Sequence, residues 1–541
     1  MFDADKLYEQ TQKDLEAFEV AKREPARVRI WDGDWNQFAE VEVYYDLEFT
    51  FEYMEAGSGS LSIPLSSPVA QAMLDPDSWP TKSMYVTIDK DGARWSGRVE
   101  NATVSVDYTG EQQLELALIH DYVKLKELLV WSNPFLPAEV QFPKAWLLFG
   151  PSRWAVATTL LVNLHRKNTS RWMIPDDPMD FSQWGDSGMS NWNMAVKPVS
   201  YSQDNSLTAI VTSRFKYFHD CVEDICRDAQ LSIECRRYLP GDPPPIPGKN
   251  LRYGCLVFEV VDKSGWNKPT SLGGSLVSGL NRVVQRVASD GMTENLDYIS
   301  RVDHPDEYYE EGFLGSKPEA PWVVLEHGDQ TGMEATNYEY TPPGPSQFVT
   351  GGQSMPGVNE ALKTAVIGIG GFIGSLFNFN QAGSIAATVL EPLYSDVFMA
   401  FKAEKDYGRI RDQGWDFPFE KWVDGSDMAY TLGSLSGLRS ARYETRERRS
   451  VKVDMVNGAP YWVGQLGHGD FFIGDRVAVH ALGMPKDQLF VEMVESLTYS
   501  EDPDGLGWDI EVGKTDFASG TEYVSRRMDS LREALSDQGV W

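Results

Sequence analysis

The feature that most limits what this chain can fold into is a period of two at both of its ends. Towards the C-terminal end the sequence reads Gly469-Asp-Phe-Phe-Ile-Gly-Asp-Arg-Val-Ala-Val-His, then Leu489-Phe-Val-Glu-Met-Val-Glu-Ser-Leu-Thr-Tyr-Ser, then Trp508-Asp-Ile-Glu-Val-Gly. Apolar and polar residues alternate between turns rich in Gly, Pro and Asp, which predicts antiparallel strands with one buried face. The first quarter has the same character. Val28-Arg-Ile-Trp, Ala39-Glu-Val-Glu-Val-Tyr-Tyr and Leu47-Glu-Phe-Thr-Phe-Glu-Tyr each alternate. Ser83-Met-Tyr-Val-Thr-Ile meets Arg94-Trp-Ser-Gly-Arg-Val across Lys90-Asp-Gly, and an Asp-Gly between alternating runs is a strong hairpin signal. Thr103-Val-Ser-Val-Asp-Tyr faces Gln113-Leu-Glu-Leu-Ala-Leu across a second turn.

Between these regions the pattern changes. Leu207, Val211, Phe218, Val222, Ile225 and Ala229 fall at helical spacing, and Trp154–Leu164 is an apolar run after Pro151. Trp172–Pro198 reads as an ordered loop, and Pro240-Gly-Asp-Pro-Pro-Pro-Ile-Pro-Gly as a stiff break. Leu251–Asp262 returns to strand character and is grouped with the strands beyond residue 450. The expected class is therefore β-rich α+β and multidomain: two small β-barrels, a helical middle, and an insertion in the second barrel. The expected division is an N-terminal helix at 1–26, a first barrel at 27–125 and a mixed helical domain at 126–250. A discontinuous second barrel follows at 251–329 with 441–515, interrupted by the insertion 330–440, and a C-terminal helix occupies 516–541.

The chain has 541 residues and a net charge of −31, which disfavours nucleic acid and anionic membrane surfaces as partners over most of its area. Its four cysteines, Cys221, Cys226, Cys235 and Cys255, form neither a disulfide framework nor a zinc ribbon, so buried free thiols from a reducing cytosol are expected. Met1-Phe-Asp-Ala-Asp-Lys opens an amphipathic helix over 3–23, with no export signal.

Chemical motifs are sparse. Gly368, Gly370, Gly371 and Gly374 miss the dinucleotide spacing, because Ile373 stands where the third glycine belongs. No His-Glu-x-x-His or Gly-x-Ser-x-Gly occurs. His468 and Asp470 with His480 could be metal ligands, or simply a turn and a strand histidine. Asp176-Asp177, Glu310-Glu311 and Glu501-Asp502 are acidic pairs of the kind any acidic chain offers. The cluster Arg439, Arg442, Arg446, Arg448 and Arg449 reads as a solvated face or an intersubunit ion-pair strip rather than a nucleic-acid patch, because Glu444 and Glu447 dilute it. Trp31, Trp35, Trp172, Trp184 and Trp192 are expected in core or interface packing, with sugar stacking as the alternative. No catalytic residue, metal ligand or cofactor is expected.

The most unusual segment is Thr364–Leu390, 27 residues without a charge. It exceeds the ~20 residues that span a bilayer, yet Asn378, Asn380 and Gln381 interrupt it. It is expected to be a helix or hairpin buried in an assembly, or sheltered and later inserted into a membrane, with a constitutive span as the third alternative. Val366, Ile367, Ile369, Phe372, Ile373, Leu376 and Phe377 are its candidate plug or membrane-contact residues.

The order of these pieces resembles the hub, or minor tail, proteins of long-tailed actinobacterial siphophages. The resemblance is carried by Gly59-Ser-Leu-Ser-Ile-Pro-Leu and Gly92-Ala-Arg-Trp-Ser-Gly-Arg-Val-Glu early, and by Ile473-Gly-Asp-Arg-Val and Ser496-Leu-Thr-Tyr-Ser late. It implies a homotrimer whose six barrels form a pseudo-sixfold ring at the virion tail tip, assembled in the host cytoplasm. Its implied partners are the distal tail protein ring, the tape-measure protein and other tail-tip proteins. DNA would pass without specific binding, and the host membrane would be touched transiently. A wall carbohydrate-binding or degrading protein and a receptor-binding adhesin are the alternatives.

Overall fold

The computed structural model describes residues 24–75, 77, 79–106, 110, 112–168, 189–204, 206–264, 298–299, 306, 321–326, 333–351, 401–423, 438, 441–442, 445, 447–455, 461–480, 489–503 and 505–512. The expected terminal helices, Thr364–Leu390 and the seven candidate residues within it lie outside the described residues.

Seven strands build the early region: β1 (Arg27–Asp32), β2 (Gln37–Val41), β3 (Asp46–Glu52), β4 (Ser58–Pro64), β5 (Met84–Lys90), β6 (Ala93–Val106) and β7 (Gln112–His120). They lie side by side in the order β3-β4-β7-β6-β5-β1-β2 and are antiparallel throughout. The alternation in sequence becomes alternation in burial. In β3, Leu47, Phe49 and Phe51 turn inwards, while Glu48 and Glu52 face solvent. The Asp-Gly turn joins β5 to β6, with Asp91 at a φ of 52°.

The sheet does not stop at β3. Leu489–Asp502 pairs with β3 from Ser496↔Glu52 to Glu501↔Leu47, and on its other side with Gly505–Val512. Arg448–Met455 and then Met333–Thr341 extend it, giving one 14-stranded sheet shared by the two ends of the chain. Arg476–His480 pairs with the first part of Leu489–Asp502 and, in parallel, with Val323–Glu326. Two strands of 14 residues, β6 and Leu489–Asp502, each carry a bulge near the middle and serve different neighbours on either side of it.

Residues 121–264 form the mixed middle. Helices Ser152–Asn168 and Phe218–Ala229 pack on three small sheets. Two expectations are corrected here. Leu256–Asp262 does not join the late strands; it lies between Met194–Val196 and Leu231–Arg237. Its apolar run fits a strand buried on both faces, but such a run carries no information about its partner. The helical spacing read from Leu207 onwards begins only at Phe218. Leu207 is buried ahead of strand Thr208–Ser213, which contains Val211 and is buried along its length, so continuous burial imitates a helical stripe. Met194–Val196 also adds a strand to the stretch expected as a loop.

One core runs from β1 through the middle helices to the late strands. Phe49 sits at its centre, with ring centroids 5.3 Å from Tyr499, 5.6 Å from Trp508 and 6.1 Å from Trp95. Gly92 lies where the Asp-Gly turn meets the late chain: a Cβ there would come within 1.9 Å of the His468 carbonyl oxygen. Gly92→Ala is therefore expected to lose about 1–3 kcal/mol of stability, as overpacking does, measured as a lower denaturant midpoint with an unchanged slope.

Candidate functional site

The described residues that hold several parts of the chain together converge on one buried polar joint. Its centre is Gln465, in the turn that follows the isolated bridge of Gly464 to Gly92. The Gln465 Oε1 accepts from the Arg94 backbone N–H at 3.2 Å and from Arg236 Nη1 at 3.1 Å, while its Nε2 donates to the Cys235 carbonyl at 3.1 Å. One buried amide therefore links the early sheet, the middle and the late chain. A side chain with both donor and acceptor is needed for this, and the glutamine amide offers both without charge.

Ion pairs surround it. Arg237 donates from Nε and Nη2 to the two oxygens of Asp121, both at 2.7 Å, and from Nη1 to the Gly254 carbonyl at 2.7 Å. Ser96 Oγ donates to the same carboxylate at 2.6 Å. The guanidinium stacks 4.1 Å from the Trp35 ring, which lies against Gly254 so closely that a Cβ there would strike the indole at 2.2 Å. Arg94 reaches Asp89 and Asp242 and donates to the Arg237 carbonyl at 2.9 Å; Arg29 also pairs with Asp89. Lys263 bridges Glu234 at 3.0 Å and Asp475 at 2.9 Å, tying the middle to the late chain. Trp508 Nε1 donates to Asp91 at 3.0 Å, and Tyr53 donates to the Leu231 carbonyl at 2.8 Å. Buried charges cost several kcal/mol each unless paired, so this arrangement is stable only with every member in place.

Electrostatics follow from that packing. Burial opposes ionisation of Asp121, but Arg237 and Ser96 outweigh it and hold the carboxyl at about 2. Burial, opposed only by Asp121, lowers His120 to about 4, so the ring is neutral near pH 7. Burial raises Glu234, with Lys263 opposing. The structure brings Cys235 Sγ within 3.8 Å of His120 Nε2, a pairing the sequence did not disclose. Burial pushes that thiol up and keeps the imidazole uncharged, the reverse of a thiolate–imidazolium nucleophile.

The sequence candidates distribute as follows. His468 is in the turn beside Gln465 and His480 ends a strand; among the described residues no cluster of metal-ligating side chains occurs. Among the described residues no helix is long and apolar enough to cross a membrane. Trp31 is buried, and Trp35 is half-buried and stacks on Tyr85 at 5.1 Å, so both pack in the joint; Trp192 is also buried. Cys226, Cys235 and Cys255 are buried as expected, whereas Cys221 is half-buried. Arg442 pairs with Asp406 at 2.6 Å. Asp176-Asp177, Glu310-Glu311, Trp172, Trp184, Arg439 and Arg446 lie outside the described residues. Sequence reasoning missed Arg94, Asp121, Arg237, Lys263 and Gln465. The available signal was a charge inside an otherwise buried strand, as in Leu231-Ser-Ile-Glu-Cys-Arg-Arg.

The model of the siphovirus ReqiPepy6 Gp37-like protein family matches residues 27–514. The chain belongs to that family. It is 33% identical to minor tail protein Gp28 of Mycobacterium phage L5 over 577 aligned positions, covering 96% of each chain, and equally identical to Gp28 of phage D29 with the same coverage. Among solved structures, the tail protein from Neisseria meningitidis MC58 aligns over 92% of this chain and 99% of its own, with 10% identity and a TM-score of 0.39. The family is thus one of siphophage minor tail proteins, as the early and late motifs led one to expect.

The low value of His120 makes the joint acid-sensitive. Its neutral form is favoured by folding, so its contribution is complete above the ordinary histidine value of about 6.5 and is lost as pH falls towards about 4. The urea midpoint is expected to drop between pH 7 and pH 5, and His120→Gln is expected to flatten that slope.

Proposed function

We propose that this chain is a structural hub of the phage tail tip, present as three copies in a ring that joins the tail tube to the tip and lines the DNA exit channel. It does so without bond chemistry. One observation supports this reading above the others, the order of strands in the large sheet. Counted from its bulged 14-residue strand, each unit has four strands in a row: β6, β7, β4, β3 in the early unit, and Leu489–Asp502, Gly505–Val512, Arg448–Met455, Met333–Thr341 in the late unit. The two units stand head to tail, and the bulged strand of the late unit pairs with the fourth strand of the early one.

The same junction repeated between copies would pair β6 with Met333–Thr341 of the next chain. Among the described residues, β6 beyond Arg98 pairs with β7 alone, and its residues there are exposed or half-buried. Among the described residues, Met333–Thr341 pairs on one side only, with Arg448–Met455. Strands of this length at the edge of a sheet can recruit another strand. A head-to-tail contact closes into a ring when its rotation permits. Three copies of two units would give six such junctions, which matches two barrels per chain around a pseudo-sixfold axis.

In this reading the neighbours are the distal tail ring, the tape-measure protein and other tip proteins. The acidic surface lets DNA slide, because there are few cations to exchange for its counterions. The uncharged segment Thr364–Leu390, through Val366, Ile367, Ile369, Phe372, Ile373, Leu376 and Phe377, would plug the channel or touch the host membrane on release.

Two experiments test this. Cysteines introduced pairwise at Thr103 or Val104 and at Thr336 or Asn337 should give interchain disulfides that stop at three copies; monomer alone, or links only within one chain, would reject the ring. Ile369→Asp with Phe372→Asp should leave tails assembled but reduce DNA delivery. Normal infection by assembled particles would remove the role given to that segment.

A further inference from the structure

The large sheet contains one strand motif twice. In β6 it reads Val99-Glu-Asn-Ala-Thr-Val-Ser-Val106, and in Leu489–Asp502 it reads Val494-Glu-Ser-Leu-Thr-Tyr-Ser-Glu501. Val, Glu, Thr and Ser recur at matching positions. The bulge also falls at the same place, with Glu100 and Glu495 as the residues left out of register.

The match continues across the neighbouring strands. Val99 lies in a row with Leu118, Gly59 and Phe49, and Val494 in a row with Val512, Val451 and Tyr338. Ala102 lies in a row with Leu116, Leu61 and Leu47, and Leu497 in a row with Ile510, Val453 and Thr336. Phe49 and Phe51 of the early unit therefore correspond to Tyr338 and Tyr340 of the late one.

The two appearances of the motif differ in what covers them. Leu497 and Tyr499 are fully buried, and β3 lies against them. Leu497 pairs with Phe51, Tyr499 with Phe49 at 5.3 Å between ring centroids, and the Thr498 and Thr50 hydroxyls share a hydrogen bond at 3.0 Å. The counterparts in β6 are open: Ala102 and Thr103 are exposed, Val104 is 46% exposed and Val106 60%. Tyr338 and Tyr340 are 40% and 47% exposed. These apolar groups do not stand on an outer, polar face. Ala102 and Val104 sit opposite buried Leu116 and Leu114, and Thr336, on the face of the two tyrosines, sits opposite buried Val453.

We propose that the distal part of β6 takes Thr336–Thr341 of a second copy in the register that β3 already uses within the chain, with Ala102 opposite Tyr340, Thr103 opposite Glu339 and Val104 opposite Tyr338. The inference rests on the ring reading and adds the residues by which one copy recognises the next. Val104 and the tyrosines form a cross-strand apolar set, and the Thr103 hydroxyl donates to the Glu339 carboxylate where two threonines meet within the chain. From Asn101 opposite Thr341 to Val106 opposite Thr336, Glu339 is the only charged residue, so no row sets like charges together. Pro342 takes the place of Tyr53, whose N–H donates to the Glu495 carbonyl at 2.8 Å, so the ladder between copies ends at Thr341. Ala102 and Val104 also bury less area than Leu497 and Tyr499, which makes the junction between copies the weaker one.

The test uses the full chain in assembled tails. Directly opposite Cβ atoms lie ~4.5–5.5 Å apart and diagonal ones ~7–8 Å, so cysteines at Val104 and Tyr338 should form interchain disulfides about tenfold faster than cysteines at Val104 and Thr336. Equal rates, the reverse order, or no link from either pair would overturn the register. Thr103→Glu, at an exposed position, sets two carboxylates on one row and should lower the amount of this chain in purified tails about fivefold or more, while Glu339→Lys in the same chain should restore it. An amount that Thr103→Glu leaves unchanged, or that Glu339→Lys does not restore, would also overturn it. The ring is judged separately by copy number: three copies per tail without these preferences would sink the register alone, and any other number would sink both.

Discussion

The structure depends on a buried amide and the charges around it. Gln465 satisfies backbone and side-chain groups from two other parts of the chain, at Arg94 and at Cys235–Arg236, each more than 200 residues from it in sequence. Hydrophobic burial supplies most of the free energy of such a core, but it is non-directional and would tolerate several relative placements of sheet, helices and late strands. The Arg237–Asp121 and Lys263–Asp475 pairs tolerate far fewer, because a small displacement leaves a buried charge without its partner. Aromatic packing around Phe49 then fills the space that the polar contacts define.

A joint of this kind suits a protein whose task is mechanical. No bond is made or broken in the proposed role, so the demand on the fold is to hold geometry while neighbours and DNA pull on it. Ties between early sheet, middle and late strands carry load across the chain instead of concentrating it in one linker. Among the described residues, the distal part of β6 and the strand Met333–Thr341 are exposed and, in that role, available for contact.

Much of the strand content was legible. The alternation in Leu47-Glu-Phe-Thr-Phe-Glu and the Asp-Gly at the β5–β6 turn placed a strand and a hairpin correctly, because both signals are local. Partners were harder. Leu256–Asp262 was recognisable as a strand, but its apolar run on both faces does not say which strands flank it. Val211 fell on a helical spacing by coincidence, since every residue of Thr208–Ser213 is buried. Gln465 could not be read at all: a glutamine in a glycine-rich turn looks like solvent-facing loop until two distant segments meet on it. Arg94 and Arg237 did leave a trace, as charges that break the apolar pattern of buried strands.

The pairing of β3 with Leu489–Asp502 has a consequence for how the protein is made. The two strands are separated by more than 430 residues, and a ribosome adds about 5–20 residues per second. For roughly 20–90 s after β3 has emerged, its second edge has no partner and the apolar face around Phe49 lacks Tyr499 and Trp508. During synthesis the early sheet is therefore an unfinished surface of the type that chaperones hold. A chain cut short before Leu489 would keep that open edge and bare apolar face, and would be prone to self-association.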